Sequence, residues 1–396
     1  MVGHFVRVRR GCAIGVVVIA AVVAASCTST PSEPVQATSE AAKAMSLSPA
    51  VSAELDKAIQ DAMVAGSAPG AIVAISTPEG RFIRAYGLAD TADKLAMDPS
   101  MTTRIASVTK TFTVTAVLQL VDEGKLGLDD PIGNYLPGVP NGDTITIRHL
   151  AGMRSGLPDY ALDSDFSIAY KLDTDADWQP DQLLTYAFDE PVLFEPGERF
   201  HYSSTNTILL GQLIEKISGT TLSDYLDSRI LGPVGLTDTA LPSDTALAEP
   251  HVRGYTTTGG TTVETTRWNP TWAWAAGGVV STVDDLGRWI QAIADGSLLS
   301  AETQQARMDF QPTDDPTFRY GLGLIEHDGW IYHAGSMPGY QTFAGYLPDA
   351  GVFLVIAINT DVVAYAQGED FSPVDLVAEA VTTIATPGTP FTATPV

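Results

Sequence analysis

Ser107 and Lys110 are the residues of this 396-residue chain whose types and spacing most directly suggest chemistry. They stand three positions apart at the opening of an apolar run whose spacing predicts a helix from Thr111 to Glu123, so they share one face. A serine in the first helical turn has its hydroxyl beside unpaired amides and the positive end of the helix dipole, which favours a developing alkoxide. A lysine one turn later can take the hydroxyl proton where burial or a second cation lowers its pKa toward neutrality. The pair makes a nucleophile without histidine. The pattern is short, and a chain of this size carries roughly one such match by chance. The competing reading is a serine N-cap followed by a solvated lysine.

Other elements must hold that pair in place. Helical spacing from about Ser48 to Ala65 ends at Gly66. Two strand-like runs, Ala71 to Ser76 and Phe82 to Tyr86, flank Pro78, Glu79 and Gly80 as a hairpin. A second hairpin is predicted near the other end, Thr342 to Tyr346 and Val352 to Ile358 around Pro348 to Gly351, after which Ser372 and Pro373 open a final helix. Between about 107 and 300 the patterns are helical, including Thr207 to Ile217 and Val283 to Ala294. The expected fold class is therefore α/β, more strictly α+β: an antiparallel sheet built from both chain ends and flanked by helices, with an inserted, mostly helical region. A cleft between the two parts is the natural site.

Two further segments follow Ser107 and Lys110 in order. One is Phe200, His201, Tyr202, Ser203, Ser204, Thr205, Asn206; the other is His333, Ala334, Gly335, Ser336 after a strand-like Trp330 to Tyr332. Together the three elements resemble the serine β-lactamase-like family, which comprises class C β-lactamases, low-molecular-mass DD-peptidases and related esterases. The resemblance runs over about residues 50 to 385. It implies that Tyr202 is a general base and acid working with Lys110. Ser204 stands where the family has an asparagine. Gly335 is expected to let substrate backbone lie close, and the Ser336 amide to pair with that of Ser107 as an oxyanion hole. His333 is expected to bind a substrate carboxylate when protonated or to relay a proton when neutral. The segments Leu150 to Tyr160 and Ala276 to Asp285 also resemble family loops, with an architectural role implied.

Composition bounds the partners. A formal net charge of −25 repels phosphate backbones, and the Lys and Arg residues form no cluster that could serve as a phosphate-binding patch, so no nucleic acid partner is expected. Arg7, Arg9 and Arg10 precede an uncharged apolar run from Cys12 to Ala25, a signal-peptide pattern. The run ends in Ala24, Ala25, Ser26, Cys27, which resembles a bacterial lipoprotein cleavage site, with Cys27 as the lipidated first residue of the mature chain. Cys12 lies in the segment to be removed, leaving Cys27 no thiol to pair with. Expected boundaries are a signal peptide over 1–26, a flexible tether over 27–47, the hydrolase domain over 48–385 and a disordered tail over 386–396. The chain is thus expected outside the cell membrane, anchored only by its N-terminal lipid, or alternatively secreted.

The six histidines are scattered with no H-E-x-x-H stretch, and G-x-S-x-G is absent, which argues against zinc hydrolases and α/β-hydrolases. No metal or cofactor is expected. The reading is a serine hydrolase that forms an acyl-enzyme at Ser107, D-alanyl-D-alanine carboxypeptidase-like or a related amide or ester hydrolase, acting on a small molecule or peptide such as a peptidoglycan stem. A class C-like β-lactamase or an esterase is the alternative within enzymes. The alternative from another class is a non-catalytic penicillin- or peptide-binding lipoprotein.

Overall fold

The computed structural model describes residues 46–245, 247–366 and 368–396. The signal segment, Cys27 and the tether up to 45 lie outside the described residues. Helix α1, Pro49–Ala65, starts where Ser48 accepts the Val51 amide and Pro49 supplies a fixed φ, and it stops at Gly66. The predicted first hairpin is β1, Gly70–Thr77, with β2, Gly80–Asp90, extended by the two-residue β3, Leu95–Ala96. The helical region follows, with α2, Thr109–Asp122, α3, Ser204–Ser218, and α4, Val283–Asp295. The chain then returns to the sheet through β4, Gln311–Pro312, β5, Phe318–Tyr320, β6, Ile325–His327, β7, Trp330–Met337, β8, Tyr340–Leu347, and β9, Val352–Ile358, and ends in α5, Pro373–Ala385.

These strands form one nine-stranded antiparallel sheet in the order β3-β2-β1-β9-β8-β7-β6-β5-β4. The two chain ends meet at its centre, where Ala71 pairs with Ile358 and Ser76 with Phe353. Side chains alternate as a pleat requires. Val73, Ile75, Leu354 and Ile356 face a core closed by Leu55 and Ile59 of α1 and Val377 and Val381 of α5. Ile72, Ala74, Val355 and Ala357 face the opposite core, with Leu286, Trp289 and Ile293 of α4 and Phe112 and Val117 of α2. A one-residue slip between β1 and β9 would exchange the two sets, so burial on both faces fixes the register.

Helix α2 has no wet face: every residue from Thr109 to Leu120 is buried. Its threonines are tolerated because each hydroxyl is paired. Thr111 donates to the Val108 carbonyl just before the helix and Thr115 to the Thr111 carbonyl within it, Thr113 donates to the Ala275 carbonyl at 2.7 Å, and Thr109 accepts the Val279 amide at 3.0 Å. These bonds seat the front of α2 against the segment 275–279.

The C-terminal segment 386–396 corrects the expectation of a disordered tail. Phe391 is buried against Tyr332 and Phe343, with ring centroids 5.4 and 5.2 Å apart, and its amide donates to Thr382 Oγ1 at 2.9 Å. Trp330 Nε1 donates to the Thr389 carbonyl, and Pro395 bridges to Phe371. The Pro and Gly residues here are turn residues that deliver one aromatic anchor. Burying a phenylalanine contributes about 1.5–3 kcal/mol against the entropy of ordering the segment. At the other end Leu47, assigned to the tether, is also buried, and its amide donates to the Arg81 carbonyl at 3.3 Å.

Candidate active site

The short strand Thr103–Arg104 pairs with Val280–Ser281 and leads into a 3-10 turn, Ala106–Val108, that runs directly into α2. Ala106 adopts φ +47°, a left-handed conformation that costs a non-glycine residue of order 1–3 kcal/mol and persists only where its surroundings impose it. Here Ile105 donates to the Val279 carbonyl on one side while β7 packs against the turn on the other. The kink turns the next side chain outward. Between Met101 and Leu120, Ser107 is the single residue that is not buried.

Lys110 is buried beneath it, and its Nζ is held from three sides. Nζ lies 3.1 Å from Ser107 Oγ, 2.9 Å from the Ala276 carbonyl and 3.4 Å from Ser204 Oγ, and it sits 4.9 Å from the centroid of the Tyr202 ring. The sequence placed Ser107, Lys110, Tyr202 and Ser204 in one site, and the structure brings all four together. It also shows what becomes of the asparagine two positions after Ser204. Asn206 is buried, accepting from Ser155 Oγ at 2.6 Å and reaching Met153 Sδ, so Ser204 alone of the two touches the lysine.

The segment 201–205 is braced by the loop 153–160. His201 donates its amide to the Met153 carbonyl, and Ser203 and Thr205 donate their hydroxyls to the Pro158 carbonyl at 3.0 and 2.7 Å. The loop also contributes Asp159, whose carboxylate accepts the amides of Ala161 and Ser204. Burial raises the pKa of this carboxyl, against the pull of those two amides and of the Lys110 charge. Sequence reasoning treated this loop as architecture and missed Asp159.

Strand β7 closes the other side. An ideal Cβ on Gly335 would lie 2.3 Å from the Ile105 carbonyl oxygen and 3.0 Å from the Ser107 nitrogen, so glycine is needed here for the chain's own turn and not only for a substrate backbone. Ser336, next along, is exposed at the mouth of the site. His333 is buried, and burial, together with the Lys110 charge, pushes its pKa down to about 3. The ring is therefore neutral. Nδ1–H donates to the Ala334 carbonyl at 2.6 Å, leaving Nε2 to accept from the Tyr320 hydroxyl at 3.3 Å. This removes the expected protonated His333 as a carboxylate ligand: a cation there would be desolvated beside Lys110. Tyr320 was not singled out from the sequence. Its ring lies 6.4 Å from that of Tyr202, which in turn lies 6.2 Å from His333.

Among the described residues no three His, Cys, Asp or Glu side chains converge in a way that could hold a metal ion. A buried amine against a half-buried hydroxyl, with two backbone amides at the turn and strand, is suited to acyl transfer.

Comparison with known proteins agrees with this geometry. Residues 55–375 match the family model described as Beta-lactamase. Among curated relatives, Protein flp of Staphylococcus aureus (strain N315) is 25% identical over 317 residues, which cover 77% of this chain and 62% of that protein. The chain thus spans less than two thirds of the length of that relative. Among solved structures, the D-stereospecific amidohydrolase from Streptomyces sp. superposes with a TM-score of 0.75 at 28% identity, covering 85% of this chain and 99% of its own. The D-amino acid amidase from Ochrobactrum anthropi SV3 complexed with L-phenylalanine amide gives 0.73 at 30% identity, with coverage of 84% and 100%.

Proposed function

The chain belongs to the beta-lactamase family of serine hydrolases, and on that premise we propose that it hydrolyses amide bonds whose acyl side is a D-amino-acid residue, through an acyl-enzyme at Ser107. The observation that carries the reading is the placement of Lys110 Nζ at 3.1 Å from Ser107 Oγ, beneath the Tyr202 ring. The D-amino-acid acyl group is supported by the solved relatives, which are amidases and amidohydrolases of that stereochemistry.

In this scheme Ser107 Oγ attacks the substrate carbonyl and passes its proton to Lys110 Nζ. The amides of Ser107 and Ser336 bind the oxyanion, with Gly335 allowing the two segments to lie side by side. Tyr202 supplies the proton to the leaving amine. Ser204 and the Ala276 carbonyl hold the lysine on line. Water then releases the acid. His333, neutral and bonded to Tyr320, orders the Tyr202 side of the site.

We further propose that the chain is exported and tethered to the outer face of the cell membrane by lipid on Cys27. The support is the basic start, the apolar run and the sequence Ala24 to Cys27. No helix of the described residues is long and apolar enough to cross a membrane. From such an anchor, peptidoglycan stems, which carry D-residues, are within reach.

Intact-mass spectrometry after mixing with D-phenylalanine amide and, separately, with a penicillin tests the scheme. A covalent adduct or turnover in the wild type that vanishes in Ser107→Ala is the expected result. Turnover that survives in Ser107→Ala would refute the assignment.

A further inference from the structure

A cavity of about 380 Å³ opens beside the site, and nothing in the acylation scheme uses it. Its walls are Phe200, Tyr202, Phe318, Tyr320 and Ile325. It is continuous with the chemistry, since Tyr202 forms one wall and Tyr320, another, donates to His333. In the scheme above Tyr202 protonates the leaving group, which assigns this cavity to the leaving group and not to the acyl side chain.

Charge restricts what fits. Two basic side chains line the cavity: His201, set edge-on to the Phe194 ring, and Arg319, which donates to the Phe310 carbonyl at 2.6 Å and pairs with Glu326 at 3.6 Å. Asp314 and Asp315 stand at the rim. Arg199 already pairs with Asp314 at 3.8 Å and lies over the Phe194 ring. His333, bonded to the Tyr320 hydroxyl, is held neutral by burial. A leaving amino acid with a free carboxylate would bring an anion into an aromatic chamber with no uncommitted guanidinium or ammonium in its walls and two carboxylates at its mouth.

Resting on the amide-hydrolase reading above, we propose that this cavity is a leaving-group pocket selective for uncharged aromatic or apolar amines, so that the protein cleaves D-aminoacyl amides in preference to peptides ending in a free D-amino acid. Atoms balance as follows. The bond from Ser107 Oγ to the acyl carbon forms and the carbon–nitrogen bond breaks. The proton taken by Lys110 returns to Tyr202 as Tyr202 protonates the departing nitrogen, so the amine leaves neutral with the electron pair of the broken bond. In the cavity it exchanges water for aromatic contacts.

The test uses the full chain and two substrates with one acyl group, D-phenylalanyl benzylamide and D-phenylalanyl-D-alanine, whose departing amines are of similar basicity. The expected kcat/KM is roughly ten- to a hundredfold higher for the benzylamide, the range a well-filled apolar pocket supplies. Phe318→Ala, which opens one wall, should bring the kcat/KM ratio of benzylamide to free-carboxylate substrate most of the way back to one. Asp314→Lys, on the exposed rim, should raise the free-carboxylate substrate alone. Equal rates for the two substrates with an acyl-enzyme at Ser107 observed in both would overturn this proposal and leave the amide-hydrolase reading standing. Absence of any acyl-enzyme or turnover with these two substrates and with D-phenylalanine amide would overturn both.

Discussion

Replacing Gly335 by alanine would test whether β7 and the nucleophile turn have to touch for catalysis. The added Cβ would sit 2.3 Å from the Ile105 carbonyl oxygen, 3.0 Å from the Ser107 nitrogen and 3.1 Å from Ala106 Cβ. Carbon and oxygen approach no closer than about 3.3 Å even in favourable contacts, so strand and turn must part by about 1 Å. Neither side yields easily. The turn is held by the Ile105 to Val279 hydrogen bond, and the strand by its pairing with β8, in which Gly335 faces Thr342. Overpacking of this kind costs about 1–3 kcal/mol of stability, a fall of a few degrees in Tm. Catalysis should suffer more, because a displacement of about 1 Å in a reacting geometry, or loss of one oxyanion donor, costs about 10²- to 10³-fold. The assay is kcat/KM on D-phenylalanine amide beside a thermal melt, with Ser336→Ala as the control. Only the Ser336 amide is invoked, so that variant should stay within a few-fold of wild type. A Gly335→Ala protein with wild-type kcat/KM would refute the reasoning. A Ser336→Ala loss as large as that of Gly335→Ala would show that the hydroxyl, not the amide, does the binding.

Lys110→Ala should lower kcat by a factor close to that of Ser107→Ala, and the double variant should be little worse than either, since the two act as one unit; a multiplicative double variant would contradict that. Ser204→Ala removes only the 3.4 Å contact to Lys110 and should cost about tenfold or less in kcat, with Ser204→Thr retaining more activity; a loss matching Lys110→Ala would mean that Ser204 itself handles the proton. For His333, the folded-state pKa of about 3 lies below the ordinary 6.5, so the unfolded chain binds the extra proton between those values. Denaturant unfolding from pH 8 to pH 4 should show wild type losing ground to His333→Asn by about 1.4 kcal/mol per unit below pH 6.5, and parallel curves would show that the ring is not buried neutral. Hydrolysis should survive prolonged dialysis against a chelator; activity lost in that dialysis and restored by a divalent ion would count against the lysine mechanism.

Period and turn chemistry made much of the fold readable. Both hairpins and the end helices announced themselves through alternation, Pro-Gly turns and the Ser48 and Ser372-Pro373 starts. Ser107 and Lys110 could be picked out because side-chain types at a fixed spacing carry the pair, and Tyr202 only through the resemblance of its segment to a family element. The Ala276 carbonyl that anchors Lys110 could not, since every residue has a carbonyl and only the three-dimensional path selects one. Ala106 gives no hint of a left-handed backbone, because the cause lies in β7, more than two hundred residues away. Asp159 enters on a loop and Tyr320 on the short strand β5, and tertiary packing alone brings them to the site. In the tail, composition misled: Pro387, Gly388 and Pro390 resemble a disordered segment, and one phenylalanine outweighs them.

The pairing of β1 with β9 also constrains when the molecule can exist. Ala71 waits for Ile358, about 290 residues later in synthesis, which at roughly 5–20 residues per second takes roughly 15–60 s. Contacts of such long range make folding slow, whereas the helices between them can form locally and early. The proposed oxyanion cradle is split across the same interval, with Ser107 delivered early and Gly335 late. A growing chain therefore carries the proposed nucleophile for more than half of its synthesis without the strand that packs against its turn. Hydrolytic competence arrives only when the last hairpin closes the sheet, so the order of the genes' letters along the chain acts as a built-in delay on activity.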